Sequence, residues 1–128
     1  MYLTHTHLDI SYVVGEVSRY MQEPHDLHWK DSKCIIRYVK GTMSYGIHYV
    51  VGCVLDLIGF TDSEWAGDST YHKSTSGYNL SLGLGPICWS SKEQSTIALS
   101  SAEAKYIGVV NCVIQTLWIQ YLLTDLGI

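Results

Sequence analysis

The sequence predicts an α+β fold, and three observations predict it. Apolar residues recur at helical spacing through the first forty positions. After Gly41 the pattern changes to short runs of strand type. From Ser100 to the C-terminus a single helical pattern takes over. The expected organisation is an N-terminal helical hairpin over 1–43, then a unit over 44–128 holding an antiparallel meander and a C-terminal helix. The sequence shows no internal repeat and no low-complexity segment.

The first helix is read from Asp9, where Ile10, Val13, Val14, Val17 and Tyr20 share one face. Asp9 is its expected cap and Pro24 follows its end. The second covers Asp26 to Lys40, with Leu27, Ile35, Ile36 and Val39 as apolar positions and Gly41 as the stop. Strands are expected at "YGIHYV" (45–50), "CVLDLIGFT" (53–61), "SGYNLSLG" (76–83), "GPICWSS" (85–91) and "STIAL" (95–99). Gly83 and Gly85 supply a turn. In the last helix Val113, Ile114, Leu117, Trp118, Tyr121 and Leu122 form the predicted apolar stripe.

Composition narrows the function. The chain has 128 residues, fitting one small domain or part of a larger one, and 47% are apolar, which is enough for a core. Eight basic against twelve acidic residues leave a net charge of −4, which argues against an autonomous nucleic-acid binder. Cys34, Cys53, Cys88 and Cys112 form no C-x-x-C pair. Their scatter through apolar stretches suits buried free thiols rather than a zinc ribbon or a bridged scaffold. The start lacks a cationic and apolar leader, and no unbroken apolar run reaches about 18 residues, so neither a signal peptide nor a membrane span is expected.

Chemistry concentrates in "GFTDSEWAGD" (59–68), where a greasy strand ends in Asp62, Glu64 and Asp68. Val54, Leu55, Leu57, Ile58 and Phe60 put apolar residues on both faces, the pattern of a central strand. Asp62 is then either a metal ligand on a rigid element or part of an ordinary Asp-Ser turn. Glu103 has two readings as well. Ser100-Ser101-Ala102-Glu103 is a capping box, and a first-turn glutamate could also face the strand end bearing Asp62. His5-x-His7 and His25-x-x-His28 bring no acidic or cysteine partner into register and are read as solvated surface histidines. Trp29, Trp65, Trp89 and Trp118 are read as core and interface residues, not a base-stacking platform.

Taken together, "THTHLDISYVVGEVSRYMQEPHDLHWKDSKCIIRYVKGT", "GFTDSEWAGD", "KSTSGYNLSLGLGPICWSSKEQSTIALSSAEAKY" and "LWIQYLLTDLG" closely resemble the polyprotein of copia-type retrotransposons. The resemblance covers almost the whole chain. It spans the end of the reverse-transcriptase connection and the first half of the ribonuclease H domain, and so implies a truncated ribonuclease H-like fold. It implies two divalent metals held by four carboxylates, cleaving the RNA strand of an RNA–DNA hybrid. The first carboxylate matches Asp62 and the second matches Glu103. The third and fourth follow the "LLTDLG" helix in the family and have no match here; Asp125 lies within that helix. Two carboxylates cannot position two Mg²⁺ ions about 3.5–4 Å apart, so no cofactor and no nuclease activity are expected unless the site is completed. Basic positions of the family are also lost, at His7-Leu8, where the family has Arg-Pro, and at His72, where it has Arg; Lys105 stands where the family has Glu, and Glu64 where it has Asp.

The chain also resembles stand-alone proteins of oomycete plant pathogens called secreted RxLR effectors. Cys34-Ile35-Ile36-Arg37 stands where the family reads Arg-Ile-Leu-Arg, so the motif itself is absent. The implied function is a non-catalytic interaction protein, an effector that acts inside host plant cells to suppress cell death or immunity. Its place would then be secreted and host-cell, and otherwise intracellular. The alternative is a retrotransposon fragment that cleaves hybrids once completed. The family's parallel fourth strand has no counterpart in the sequence. The strand ending at Asp62 is therefore expected to offer a bare edge at 54–61, to a host protein or to a second copy.

Overall fold

The computed structural model describes residues 2–67 and 72–128, in two compact units, 1–48 and 49–128. The first unit holds three helices: α1 (Tyr2–Thr6), α2 (Ser11–Arg19) and α3 (Asp26–Gly41). The predicted hairpin is α2 against α3, and Ile10 at its entry is buried. The sequence reading missed α1, a single turn without apolar periodicity. Asp9 does not cap α2. Ile10 occupies the N-cap without a side-chain bond, and the Asp9 carboxylate instead accepts a hydrogen bond from the Tyr38 hydroxyl of α3. That bond raises the Tyr38 pKa, because ionising the phenol would discard its donor and set two negative charges together.

The second unit contains β1 (Leu57–Glu64), β2 (Thr75–Leu82), β3 (Gly85–Glu93) and α4 (Ser101–Asp125). The strands form an antiparallel sheet in the order β1-β2-β3, and α4 packs on β1 and β2. The meander is thus as expected, with shifted limits, because strand ends are set by partners and not by local apolarity. Leu57 faces Leu82 and Glu64 faces Thr75, so β1 starts four residues later than its apolar run and continues through the acidic cluster. Segment 45–50 has no strand partner and is irregular, although the Tyr49 hydroxyl donates to Pro86 O at 2.6 Å. Residues 95–99 likewise are not a strand. Past the Thr75–Glu93 pair one more backbone bond forms, from Gln94 N–H to Ser74 O at 2.8 Å, and the chain then crosses to the start of α4.

Two polar anchors fasten that crossing. The Trp65 indole N–H donates to Ala98 O at 3.0 Å. Buried Gln94 donates from Nε2 to Ala104 O at 2.9 Å and to Ser76 Oγ. The β2–β3 turn needs Gly83. Its φ is +61°, and a Cβ there would lie 2.8 Å from Cys53 Sγ and 3.0 Å from Val54 O.

The core is a thin seam. Leu80 is fully buried, with Cys112 and Ile119 beside it and Leu57, Tyr78, Ile87, Cys88 and Leu123 packed around them. The face α4 turns to the sheet is made of small residues, Ala104, Gly108 and Cys112, and then Ile119. The predicted stripe is corrected here: Val113, Ile114, Leu117, Trp118, Tyr121 and Leu122 are all exposed. Trp29 and Trp118, read as core or interface, are also exposed, with Lys33 Nζ 4.9 Å above the Trp29 ring. All four cysteines are free; Cys112 is buried as expected, but Cys34 is exposed. By length and composition α4 could cross a membrane, which the search for unbroken apolar runs did not foresee. Here its small-residue face packs on the sheet, while most of the helix surface is exposed.

Burial next to Cys88 and Cys112 pushes the Tyr78 pKa up to about 12 from 10.0. The folded state therefore holds this proton more tightly than the unfolded chain. Its contribution is complete below pH 10 and is lost as pH rises towards 12. Denaturant midpoints measured across this window should fall with pH, and less steeply in Tyr78→Phe. An identical pH slope in the two proteins would place Tyr78 outside the seam.

Candidate functional site

The acidic cluster divides in the structure. Asp62 sits in β1 opposite Gly77, two residues before the strand ends, and is exposed. Its Oδ1 accepts from the backbone N–H of Ser63 at 2.8 Å. Glu64, also exposed, closes the strand opposite Thr75, and Asp68 lies outside the described residues. β1 is not the central strand its double-faced apolarity suggested. It is the edge of the described sheet, and Ile58 and Phe60 are exposed.

Alternation along β1 fixes which way Asp62 looks. Gly59 lies against Cys112, its Cβ position 3.1 Å from Sγ, and Thr61 Oγ1 lies 3.4 Å from the Cβ position of Gly108. Residues 59 and 61 therefore face α4, and Asp62 joins Ile58 and Phe60 on the opposite face. The contacts also fix the direction of the helix. Gly108 meets Thr61, while Cys112, one turn on, meets Gly59. The first turn of α4 thus lies toward the end of β1 that carries Asp62. The structure brings Asp62 and Glu103 to one end of the sheet, with Asp62 on the face away from the helix.

Glu103 acts as a cap. Its backbone N–H donates to Ser100 Oγ at 3.2 Å, and its Oε2 accepts from the N–H of Leu99 at 2.7 Å. The S-x-x-E reading is therefore correct in kind, but the carboxylate reaches one residue beyond the expected Ser100 N–H. A carboxylate here also complements the positive end of the helix dipole. Among the described residues no group of three or more His, Cys, Asp or Glu side chains could hold a metal ion. A two-metal site needs several oxygen ligands per ion, and the donor set present here, one capping carboxylate and one exposed strand carboxylate, does not fit it.

The histidines are less idle than expected. Nδ1 of His28 accepts from the backbone N–H of His25 at 3.1 Å, closing the N-terminus of α3, and the His28 ring stacks on Tyr20 at 4.0 Å. His7 Nδ1 lies 3.8 Å from Asp9 Oδ1, a partner the spacing did not reveal. The residue that sequence reasoning missed is Gln94, which ties β3, β2 and α4 together. A glutamine within "SSKEQSTIALSS" carries no signal of such burial.

No protein-family profile matches the chain, and no solved structure matches it. Curated proteins do. The retrovirus-related Pol polyprotein from transposon RE2 of Arabidopsis thaliana is 45% identical over 127 residues, covering 99% of this chain but 9% of that polyprotein. The Pol polyprotein from transposon TNT 1-94 of Nicotiana tabacum is 37% identical, over 96% of this chain and again 9% of its own length. Secreted RxLR effector protein 161 of Plasmopara viticola is 36% identical over 89% of this chain and 80% of that protein.

The two readings of Glu103 differ in what they predict. If it caps, Ser100→Ala and Glu103→Ala should each destabilise the fold by about 1 kcal/mol, and Asp62→Asn should stay within about 0.5 kcal/mol of the parent. Urea unfolding measures all three. A Glu103→Ala protein as stable as the parent would remove the capping role. With near-complete coverage by the transposon polyproteins, and with one short protein matched over most of its own length, the chain belongs to the copia-type retrovirus-related Pol family.

Proposed function

We propose that the chain is a protein-binding module of ribonuclease H-like descent, without nuclease activity of its own. The observation that supports this is the state of β1. One edge carries no strand among the described residues, and Ile58 and Phe60 stand 46% and 58% exposed on its free face. An edge strand offers a row of backbone donors and acceptors to an added strand, and flanking apolar side chains supply the contact area. The partner adds its strand along 57–64. The likeness to a protein named a secreted RxLR effector supports an interaction role; the proposed partner is a protein of a host plant cell, with suppression of cell death or immunity as the outcome. A second copy of the chain is the competing occupant.

The carboxylates support the non-catalytic side of the reading. Phosphodiester hydrolysis by two metals requires oxygen ligands converging on both ions. Asp62 and Glu103 look to different tasks, and the net charge of −4 does nothing to draw a polyanion to them.

One observation favours a second reading. Identity of 45% over nearly the whole chain to a transposon polyprotein fits a segment of reverse transcriptase and ribonuclease H, one that cleaves RNA in hybrids when further carboxylates are supplied.

Incubation of the pure chain with an RNA–DNA hybrid and Mg²⁺ separates the two. The proposal expects intact RNA, and hydrogen exchange that leaves outward amides of 57–64 unprotected until a partner or second copy binds. Cleavage that disappears in Asp62→Asn and Glu103→Gln would establish the enzyme reading. A monomer with every amide of 57–64 protected would remove the edge as a binding element.

A further inference from the structure

A second feature of the 49–128 unit is independent of β1. Between α4 and the β2–β3 side of the sheet lies a cleft of about 430 Å³, within the range of small-molecule sites. Its walls are polar where the rest of the helix is not. From Tyr106 to Leu123 α4 has no charged residue, and two of its few polar side chains, Asn111 and Gln115, stand one turn apart on this cleft. The facing sheet contributes two cross-strand rows, Ser76 with Lys92 and Tyr78 with Ser90. Polar groups from two separate elements thus converge on one space.

The floor shows which chemistry the space suits. Gln94 is 95% buried (5% exposed) and lines the cleft. Its Nε2 donates to Ser76 Oγ and Ala104 O, while its carbonyl oxygen has no donor among the described residues. Ser76 Oγ accepts that bond and keeps its own proton to give. The Tyr78 phenol, its pKa pushed up to about 12 by burial, is a neutral hydroxyl that already shares hydrogen bonds with Cys88 and Ser90. Hydroxyls and carboxamides each both donate and accept. Two charged groups line the cleft. Glu93 lies 4.0 Å from Lys73 Nζ, leaving Lys92 as the cation available to a ligand. A bare oxyanion brings acceptors only. It would satisfy Lys92 but leave the Gln94 carbonyl without a donor, and an unsatisfied buried acceptor is costly. A ligand of hydroxyl groups brings donors and acceptors together, and can reach the carbonyl directly or through one water.

We propose that the cleft between α4 and β2–β3 binds a neutral polyhydroxyl compound the size of one or two sugar rings. The ligand's hydroxyls bond to Ser76, Ser90, Lys92, Asn111 and Gln115, and one ring lies against Tyr78.

The test uses the full isotope-labelled chain and amide NMR. The probes are glucose, ribose, maltose and sucrose, with inorganic phosphate as the charge control. At least one sugar should shift the signals of Ser76, Ser90, Gln94 and Asn111 in a saturable way. Asn111→Leu and Gln115→Leu should each weaken that binding about tenfold, equivalent to about 1.4 kcal/mol. Both keep helix propensity, and far-UV circular dichroism checks the fold. Lys92→Gln, on the exposed rim, should weaken binding without touching the packed seam. If no sugar of the panel moves these signals, or phosphate moves them while the sugars do not, the proposal is overturned. If the sugars bind equally to all three variants, the ligand sits elsewhere and the assignment fails.

Discussion

The constraint on which the 49–128 unit depends is how close α4 comes to the sheet. Gly59 and Gly108 set it. A Cβ on Gly59 would stand 3.1 Å from both Cys112 Sγ and Leu80 Cδ2, and one on Gly108 would stand 3.4 Å from Ser76 Oγ and Thr61 Oγ1. Helix and strand backbones approach until small side chains fill the gap, as interiors tolerate few voids. Ala104, Gly108 and Cys112 lie at successive four-residue intervals, so the seam is straight and narrow. Gln94 can bond to Ala104 O because the helix backbone comes within reach. The Ser100–Glu103 cap is held at a fixed place relative to β1 by the same contact. Both the polar cleft and the carboxylate end of the sheet are positioned by this seam.

A close approach through small residues has a cost in apolar burial. Small side chains remove little apolar area from water, and buried area is the main favourable term in folding. Among the described residues Leu80 is the one large apolar side chain the seam encloses fully. The large residues of α4 are displaced to its outer surfaces, where Trp118 is 57% and Tyr121 72% exposed. Exposed apolar surface of this kind is what protein–protein and membrane contacts use.

This explains which parts of the fold were legible. The helices at 26–41 and 101–125 and the hairpin of β2 and β3 rest on local signals: the S-x-x-E box, Gly83 at positive φ, and Tyr78, Leu80 and Leu82 at period two. Those signals act within a few residues and survive in the sequence. The facing of α4 rests on a non-local choice. Apart from the Asn111–Gln115 row the helix is apolar on most of its circumference, so periodicity does not single out the buried face, and the bulky residues give the stronger signal. The chain buried the small ones, since only they allow the approach that Gly59 offers. Strand limits were misread for a similar reason. "CVLD" has strand composition but pairs with no strand among the described residues, whereas "TDSE" has poor strand composition and a partner in "TSGY". Pairing outweighs propensity at a sheet edge.

The site was legible as residues but not as an arrangement. Asp62 and Glu103 can be picked out from resemblance, and the topology does carry both to one end of the sheet. Sequence cannot say which duty a carboxylate performs there. Glu103 has a local duty, because the Leu99 N–H at the start of α4 needs an acceptor and finds it in the Glu103 carboxylate. A ligand role would require releasing that bond, so any metal binding by this residue would be linked to fraying of the helix start. Asp62 has only a contact with its neighbour's N–H, which costs little to exchange. The two carboxylates therefore differ in availability despite sharing one end of the fold. A partner strand laid along β1 would reach Asp62 without disturbing the cap, so strand addition and the capping role of Glu103 are compatible on one chain.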